Sequence, residues 1–247
     1  AAIDFGTSNV GGKLIATASA GTITQNGGAL TVAGTSAFTT SANDATITLT
    51  DAANQFTGAV TLISTDSDTN NEEAVQLTNS IATILGGSTE SGSLVVISNS
   101  GKISQTGALD VDTTSSFTAG TNEIDLSDAN NEFAGAVSLS NSGAKNASLR
   151  NKNALDLGTV AVGQDFTVTP GGSLTDSGNV TVDGLATIVA TGHSVTLGDG
   201  TTANFGSVDF AGDAVTITEN SSMEIAASEA TGDLSITANG AITQTTG

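Results

Sequence analysis

Nearly every residue of this chain that could do chemistry is a carboxylate. Asp and Glu number 25 against five Lys plus Arg and a single His, a formal charge of −20 over 247 residues. Ca²⁺ takes hard oxygen donors in tight runs. The stretch STDSDTNNEE at 64–73 offers Asp66, Asp68, Glu72 and Glu73 as such donors. It lacks the ligand order of an EF-hand, and the calcium-binding nonapeptide Gly-Gly-x-Gly-x-Asp is absent from the chain. Two readings therefore stand, a Ca²⁺ site on these four residues or a disordered solvated loop, and the missing motifs favour the loop. No other cofactor is expected.

Carboxylates also cleave glycosides when two flank the bond about 5 to 9 Å apart. Asp110/Asp112 and Asp66/Asp68 lie two apart and could share a face, but such pairs arise by chance in so acidic a chain. A lyase would further need a cation among its acids. Three of the five basic residues, Lys145, Arg150 and Lys152, fall in one stretch, AKNASLRNKNALDL at 144–157. That stretch reads either as a solvated loop pairing with neighbouring acids or as a docking spot for an acidic partner. His193 has no clustered second ligand and reads as an exposed turn residue. No nucleophile elbow stands out. The expectation is a chain that is not an enzyme.

The same charge balance excludes a nucleic-acid or anionic-membrane partner, because phosphate binding needs clustered Lys and Arg. No stretch approaches the roughly 20 apolar residues that span a bilayer, so no membrane insertion is expected. There is no Cys. Residues 1–20 lack the basic start and apolar block of a signal peptide, so the chain is read as a mature form or a piece of something larger.

These residues must be held by elements, and the elements are strands. Apolar residues recur two apart, as in Leu30/Val32, Ile47/Leu49, Val60/Leu62, Leu109/Val111, Ile124/Leu126, Val137/Leu139 and Val195/Leu197. Alternation of that kind makes short strands with one buried face. Gly, Asn, Asp, Ser and Thr between them supply turns, and no window shows helical periodicity.

The chain also repeats itself. The phrase Gly-x-[Ile/Leu]-[Thr/Ser] begins at Gly21, Gly101, Gly172 and Gly240, with spacings of 80, 71 and 68 residues. ITLTDAANQFTGAVTL at 47–62 matches IDLSDANNEFAGAVSL at 124–139, and VTLGDGTTANFGSVDF at 195–210 is a looser third version. About three degenerate modules of 68–80 residues follow. Modules that cannot bury a core alone must stack. A β-sandwich array would call for larger core residues and inter-domain linkers, yet the aromatics are eight Phe and the chain has one Pro. The predicted fold is all-β, a right-handed parallel β-helix by the chirality of parallel crossovers. It runs as a single continuous segment through 1–247. The chain starts and stops at nearly the same phase of its repeat, so it is read as a window on a longer array. Phe38 and Phe117, and Phe56 and Phe133, recur at matched phase and are expected to fill corners. Asn54 and Asn131 are expected to cap buried backbone.

The phrase Gly-x-Ile-x-Gln-x-Gly-x-Leu-x-Val followed by Asn-x-Phe-x-Gly-x-Val-x-Leu is carried by Ile23, Gln25, Leu30, Val32, Asn54, Phe56, Gly58, Val60 and Leu62. It is carried again by Ile103, Gln105, Leu109, Val111, Asn131, Phe133, Gly135, Val137 and Leu139. It resembles the repeats of filamentous haemagglutinin-like adhesins, large bacterial exoproteins of two-partner secretion. The resemblance implies an extracellular β-helical stalk at the bacterial cell surface. Its partners would be a protein or glycan ligand on a host or neighbouring cell, with self-association into fibres. The alternative expectation is a carbohydrate-binding or carbohydrate-degrading β-helix with an acidic groove.

Overall fold

A strand with one apolar face and small residues at its ends is stable only when another strand covers its edge and another face covers its interior. This chain meets both needs by coiling. The computed structural model describes residues 1–65 and 74–245. Its strands, Ile3–Val10 through Ile242–Gln244, stack in parallel register as a β-solenoid of about 11 turns. At about 4.8 Å per coil the stack is roughly 50 Å long.

Each coil lays strands along three sides of a narrow prism. The first side carries the ladder Ile23, Ile47, Val75, Leu94, Ser115 and Val137. The second carries Thr83, Ile103, Ile124, Ala147, Phe166, Ala186 and Val208. The third carries Leu155, Leu174, Val195, Val215 and Leu234, and earlier in the chain Leu14, Ser36 and Val60. Inward residues form one apolar cluster through the length of the molecule. Burying such side chains at about 25 cal/mol per Å² is what holds a fold without disulfides. Phe38 and Phe56 meet edge to face at 5.8 Å, and Phe117 and Phe133 repeat the contact at 6.1 Å; Phe38 and Phe117 lie within the strands Ser36–Thr40 and Ser115–Gly120 and not at corners, which corrects the corner-filling expectation for these two.

The sequence repeat and the coil are different lengths, and this sets where every repeated residue falls. The phrase-opening Ile23 stands on the first side. Ile103 lies midway between the stacked partners Leu94 and Ser115, hence on the second side. Leu174 joins the third-side ladder. Ile242 pairs with Met223, which follows the third-side strand Val215–Glu219 and so lies on the first side again. Each repeat thus advances three coils and a further third of a turn. Sequence-equivalent residues are displayed on all three sides in rotation.

Corners stack as tightly as strands. A Cβ on Gly135 would lie 2.3 Å from the Thr113 carbonyl oxygen, and one on Gly58 would lie 2.6 Å from that of Gly34. The glycine in Asn-x-Phe-x-Gly is therefore demanded by the backbone of the coil beneath. The stretch between the paired residues Ile47 and Val75 takes 28 residues, against 19 between Val75 and Leu94.

Candidate functional site

On the third side, successive coils place Thr89, Asp110 and Glu132 one above another, two carboxylates in a single ladder. These residues point outward because Glu90, Val111 and Phe133 beside them point inward. Gly87 and Ala108 are too small to fill the corner next to them. A shallow groove of about 350 Å³ results, lined also by Ser88, Asn130 and Lys152.

The groove is electrostatically uneven. Lys152 Nζ pairs with Glu132 Oε2, and Asn153 Nδ2 donates to Glu132 Oε1 at 2.9 Å. The Lys152 hydrogen bond holds Glu132 below the ordinary glutamate value. Asp110 moves the other way, raised first by burial and then by the charges of Glu132 and Asp112, against a smaller lowering by Lys152. Two neighbouring carboxylates thus differ in proton affinity, which is how paired acids acquire separate roles. The arrangement offers acceptors and one ammonium to a polar ligand lying along the rod axis.

Directly inside this face sits Glu90, 1 % exposed and stacked between Ser64 and Val111. Neither of its carboxyl oxygens has a hydrogen-bond partner. Burial, with a further push from Asp110, raises its pKa well above the usual value. The shift favours its protonated form, consistent with the cost of burying an unpaired charge.

The sequence candidates fare unevenly. Asp66, Asp68, Glu72 and Glu73 lie outside the described residues. Among the described residues no group of three or more His, Cys, Asp and Glu is placed to hold a metal. Asp110 and Asp112 are close enough to interact, Asp110 on the strand and Asp112 at the following corner. The basic stretch is not a loop. Arg150 projects from the strand Ala147–Asn151 on the second side beside Thr169, and Lys145 lies at a corner with Glu123 and Gln164. Lys152 alone reaches the groove. The reason is the strand pattern: Ala147, Leu149 and Asn151 are buried, so the basic residues between and beyond them are dealt to different places. His193 is an exposed turn residue, as expected.

Sequence reasoning overlooked a second set of sites, the polar groups that join coils. Asn79 Oδ1 accepts from Phe56 N at 3.0 Å, and its Nδ2 donates to the carbonyls of Phe56 and Ala82 at 3.2 and 3.0 Å. Asn151 treats Phe133 and Ala154 in the same way. In the third repeat Glu219 stands in that place, accepting from Phe205 N at 3.2 Å and from the Ser221 hydroxyl at 2.8 Å, with Oε2 buried and unpartnered. Asp176 likewise replaces the glutamine of the opening phrase and accepts from Gly198 N and the Thr201 hydroxyl. Aligning the repeats on their phenylalanines would have found both.

The fold and these sites define a β-solenoid repeat protein whose buried asparagines bind coil to coil. The chain belongs to the family described as repeats of unknown function (DUF5649), whose model matches residues 1–63, 72–140, 144–210 and 212–247. Four repeat segments are thus recognised where the marker phrase gave three modules, the last spanning 36 residues. The difference arises because the marker opens each module partway through a family repeat. No curated protein and no solved structure matches the chain.

Proposed function

We propose that this chain is a non-enzymatic structural segment, the stalk or fibre body of an extracellular bacterial surface protein of the filamentous haemagglutinin-like kind. It would serve attachment to a host or neighbouring cell through a protein or glycan ligand. The observation that carries the reading is the unbroken stack: parallel ladders and one apolar cluster run the length of the rod. Such a body transmits position and load from one end to the other. Its charge of −20 keeps neighbouring rods in solution. The test is to couple the purified chain to beads and measure their retention on bacterial and host-cell layers, with electron microscopy of the free protein. Rods of roughly 50 Å with retention above that of an inert acidic protein are expected. Compact particles, or no retention on any layer, would remove the reading.

The groove of Asp110, Glu132 and Lys152 favours a second reading, a glycan-handling face. Here the chain would bind or cleave neutral or acidic oligosaccharides, and D110N or E132Q would abolish the effect. A glycan array without signal and an absence of released sugar would dispose of it.

A further inference from the structure

The amides that cap buried backbone are not carried through the whole rod. In the first two repeats three of them serve each corner, Gln25, Asn54 and Asn79, then Gln105, Asn131 and Asn151. Stacking fixes their equivalents in the third repeat, because Val182 pairs with Phe205 as Val32 pairs with Phe56. Asp176 then stands for the glutamine, Ala203 for the first asparagine and Glu219 for the second. Two carboxylates and a methyl group replace three amides. The corner keeps acceptors and loses its side-chain amide protons.

The loss falls on Glu219. Asn79 Nδ2 donates to the carbonyls of Phe56 and Ala82, and Asn151 Nδ2 to those of Phe133 and Ala154. The equivalent carbonyls are those of Phe205 and Ser222, and a carboxylate has no proton to give them. Glu219 Oε1 keeps the accepting role, from Phe205 N at 3.2 Å. Oε2, in a residue 1 % exposed, has no partner. The Ser221 hydroxyl has one proton for two acceptors, Glu219 Oε1 at 2.8 Å and Ser222 O at 3.3 Å. Among the described residues no Lys or Arg pairs with Glu219 or Asp176. Glu219 also lines a cavity of about 240 Å³ whose walls include Thr201, Thr218, Asn220 and Asn239 and no basic residue. Thr201 links that cavity to Asp176, to which its hydroxyl donates.

We propose that this corner is a cation site, a Ca²⁺ anchored by Glu219 Oε2 and completed by hydroxyl, amide and carbonyl oxygens of the cavity and by water. The ion supplies what the missing amide supplied, positive charge beside the carboxylate and the carbonyls it cannot cap. Ca²⁺ accepts about six to eight oxygens in adaptable geometry, whereas Mg²⁺ demands a near-ideal octahedron. Such a site needs one acid and several neutral oxygens, unlike the groups of three or more His, Cys, Asp and Glu that the described residues lack. One carboxylate is a low ligand charge, which sets the dissociation constant on the order of 10⁻⁴ to 10⁻³ M. In Ca²⁺-free solution burial favours a proton on the same carboxyl, so ion and proton are alternatives there.

The test is a Ca²⁺ titration of the 247-residue chain at neutral pH and fixed ionic strength, with Mg²⁺ as the matched control. Backbone amide NMR and chemical denaturation are the readouts. Saturable movement of the Thr201, Phe205 and Asn220 amide signals is expected. At a Ca²⁺ concentration about ten times Kd, the equilibrium shifts about tenfold toward the folded chain, and less with Mg²⁺. Glu219→Asn, which puts the amide cap back, and Glu219→Gln, which removes the charge, both lose the response. Asp125→Asn, on the second side, keeps it. Signals that drift evenly along the rod, or equal effects of the two ions, would show screening of the −20 charge and overturn the proposal. A response kept by E219N and E219Q would overturn it too, assigning the ion to other acids such as Asp66, Asp68, Glu72 and Glu73. If neither variant folds, the parent's NMR titration decides: movement centred on Phe205 upholds the site, and movement elsewhere removes it.

Discussion

The side-chain amides of Gln25 and Asn54 are joined head to tail across two coils. Gln25 Nε2 donates to Asn54 Oδ1 at 2.7 Å, and Asn54 Nδ2 donates to Gln25 Oε1 at 3.0 Å. Gln105 and Asn131 form the same reciprocal pair at 2.8 and 2.9 Å. Each asparagine also accepts from a buried backbone amide, Leu30 N or Leu109 N, and donates to a carbonyl of its own turn, Leu49 O or Leu126 O. A turn inside a solenoid has no water to satisfy its backbone, so the amide pair takes water's place.

Removing one member should therefore be costly. Asn54→Ala or Asn131→Ala leaves a buried N–H and a carbonyl without partners, each worth about 1–3 kcal/mol. A loss of about 3 kcal/mol or more is expected in chemical denaturation. In a double-mutant cycle, the Gln25 and Asn54 substitutions should be non-additive, as expected for groups in one network. Additive losses would show that the two amides act separately.

Glu90 should be replaceable to advantage. Its carboxyl lies in the core without a partner, between Ser64 and Val111 in the ladder. Glu90→Val continues the apolar column and removes the unmet polar group. A gain of about 1–3 kcal/mol at pH 8 is expected, read from the midpoint of denaturation. An unchanged or lower midpoint would mean that the acid has a partner in solution.

Glu219 should give the stability a pH dependence. Burial raises its pKa, only partly countered by the Phe205 and Ser221 hydrogen bonds. A raised folded-state value in an acid means the folded form holds its proton more tightly than the unfolded chain. The stabilisation is fully present below the ordinary glutamate range and is lost as pH rises through the elevated folded value. Glu90 acts in the same direction. Glu219→Asn, which restores the residue found at Asn79 and Asn151, should flatten that decline and retain the cap. A midpoint falling as steeply with pH in E219N/E90V as in the parent would assign the dependence elsewhere.

Lys152 should matter to proton affinity more than to folding. Lys152 and its partner Glu132 are both partly exposed, and ion pairs near the surface contribute little to stability. Lys152→Met should leave the unfolding midpoint nearly unchanged. The titration of Asp110, followed by carboxyl-carbon NMR, should move upward, because the one cation lowering it is gone. A downward or absent shift would place Lys152 away from Asp110 in solution.

Much of this was legible in the residues. Leu30/Val32 and Val137/Leu139 announce strands buried on one side, and the recurrence of Asn-x-Phe-x-Gly announces stacking. The role of Asn54 and Asn131 follows from an amide two residues before a buried phenylalanine. The groove was less legible, because Asp110, Glu132 and Lys152 come from three different coils. The basic stretch misled for the complementary reason: Lys145, Arg150 and Lys152 are close in the chain and separated by strand alternation and a corner.

The sequence by itself determined that the chain is all-β, that it repeats, and that its repeats must stack to bury their small apolar residues, because alternation and turn chemistry act locally. The tertiary structure alone decided which side of the rod each copy of the phrase would occupy. That depends on the ratio of repeat length to coil length, and coil length shows only in which residues stack, as Leu94 does on Val75 and Ser115. From that ratio came the placing of Ile23 on the first side, Ile103 on the second and Leu174 on the third.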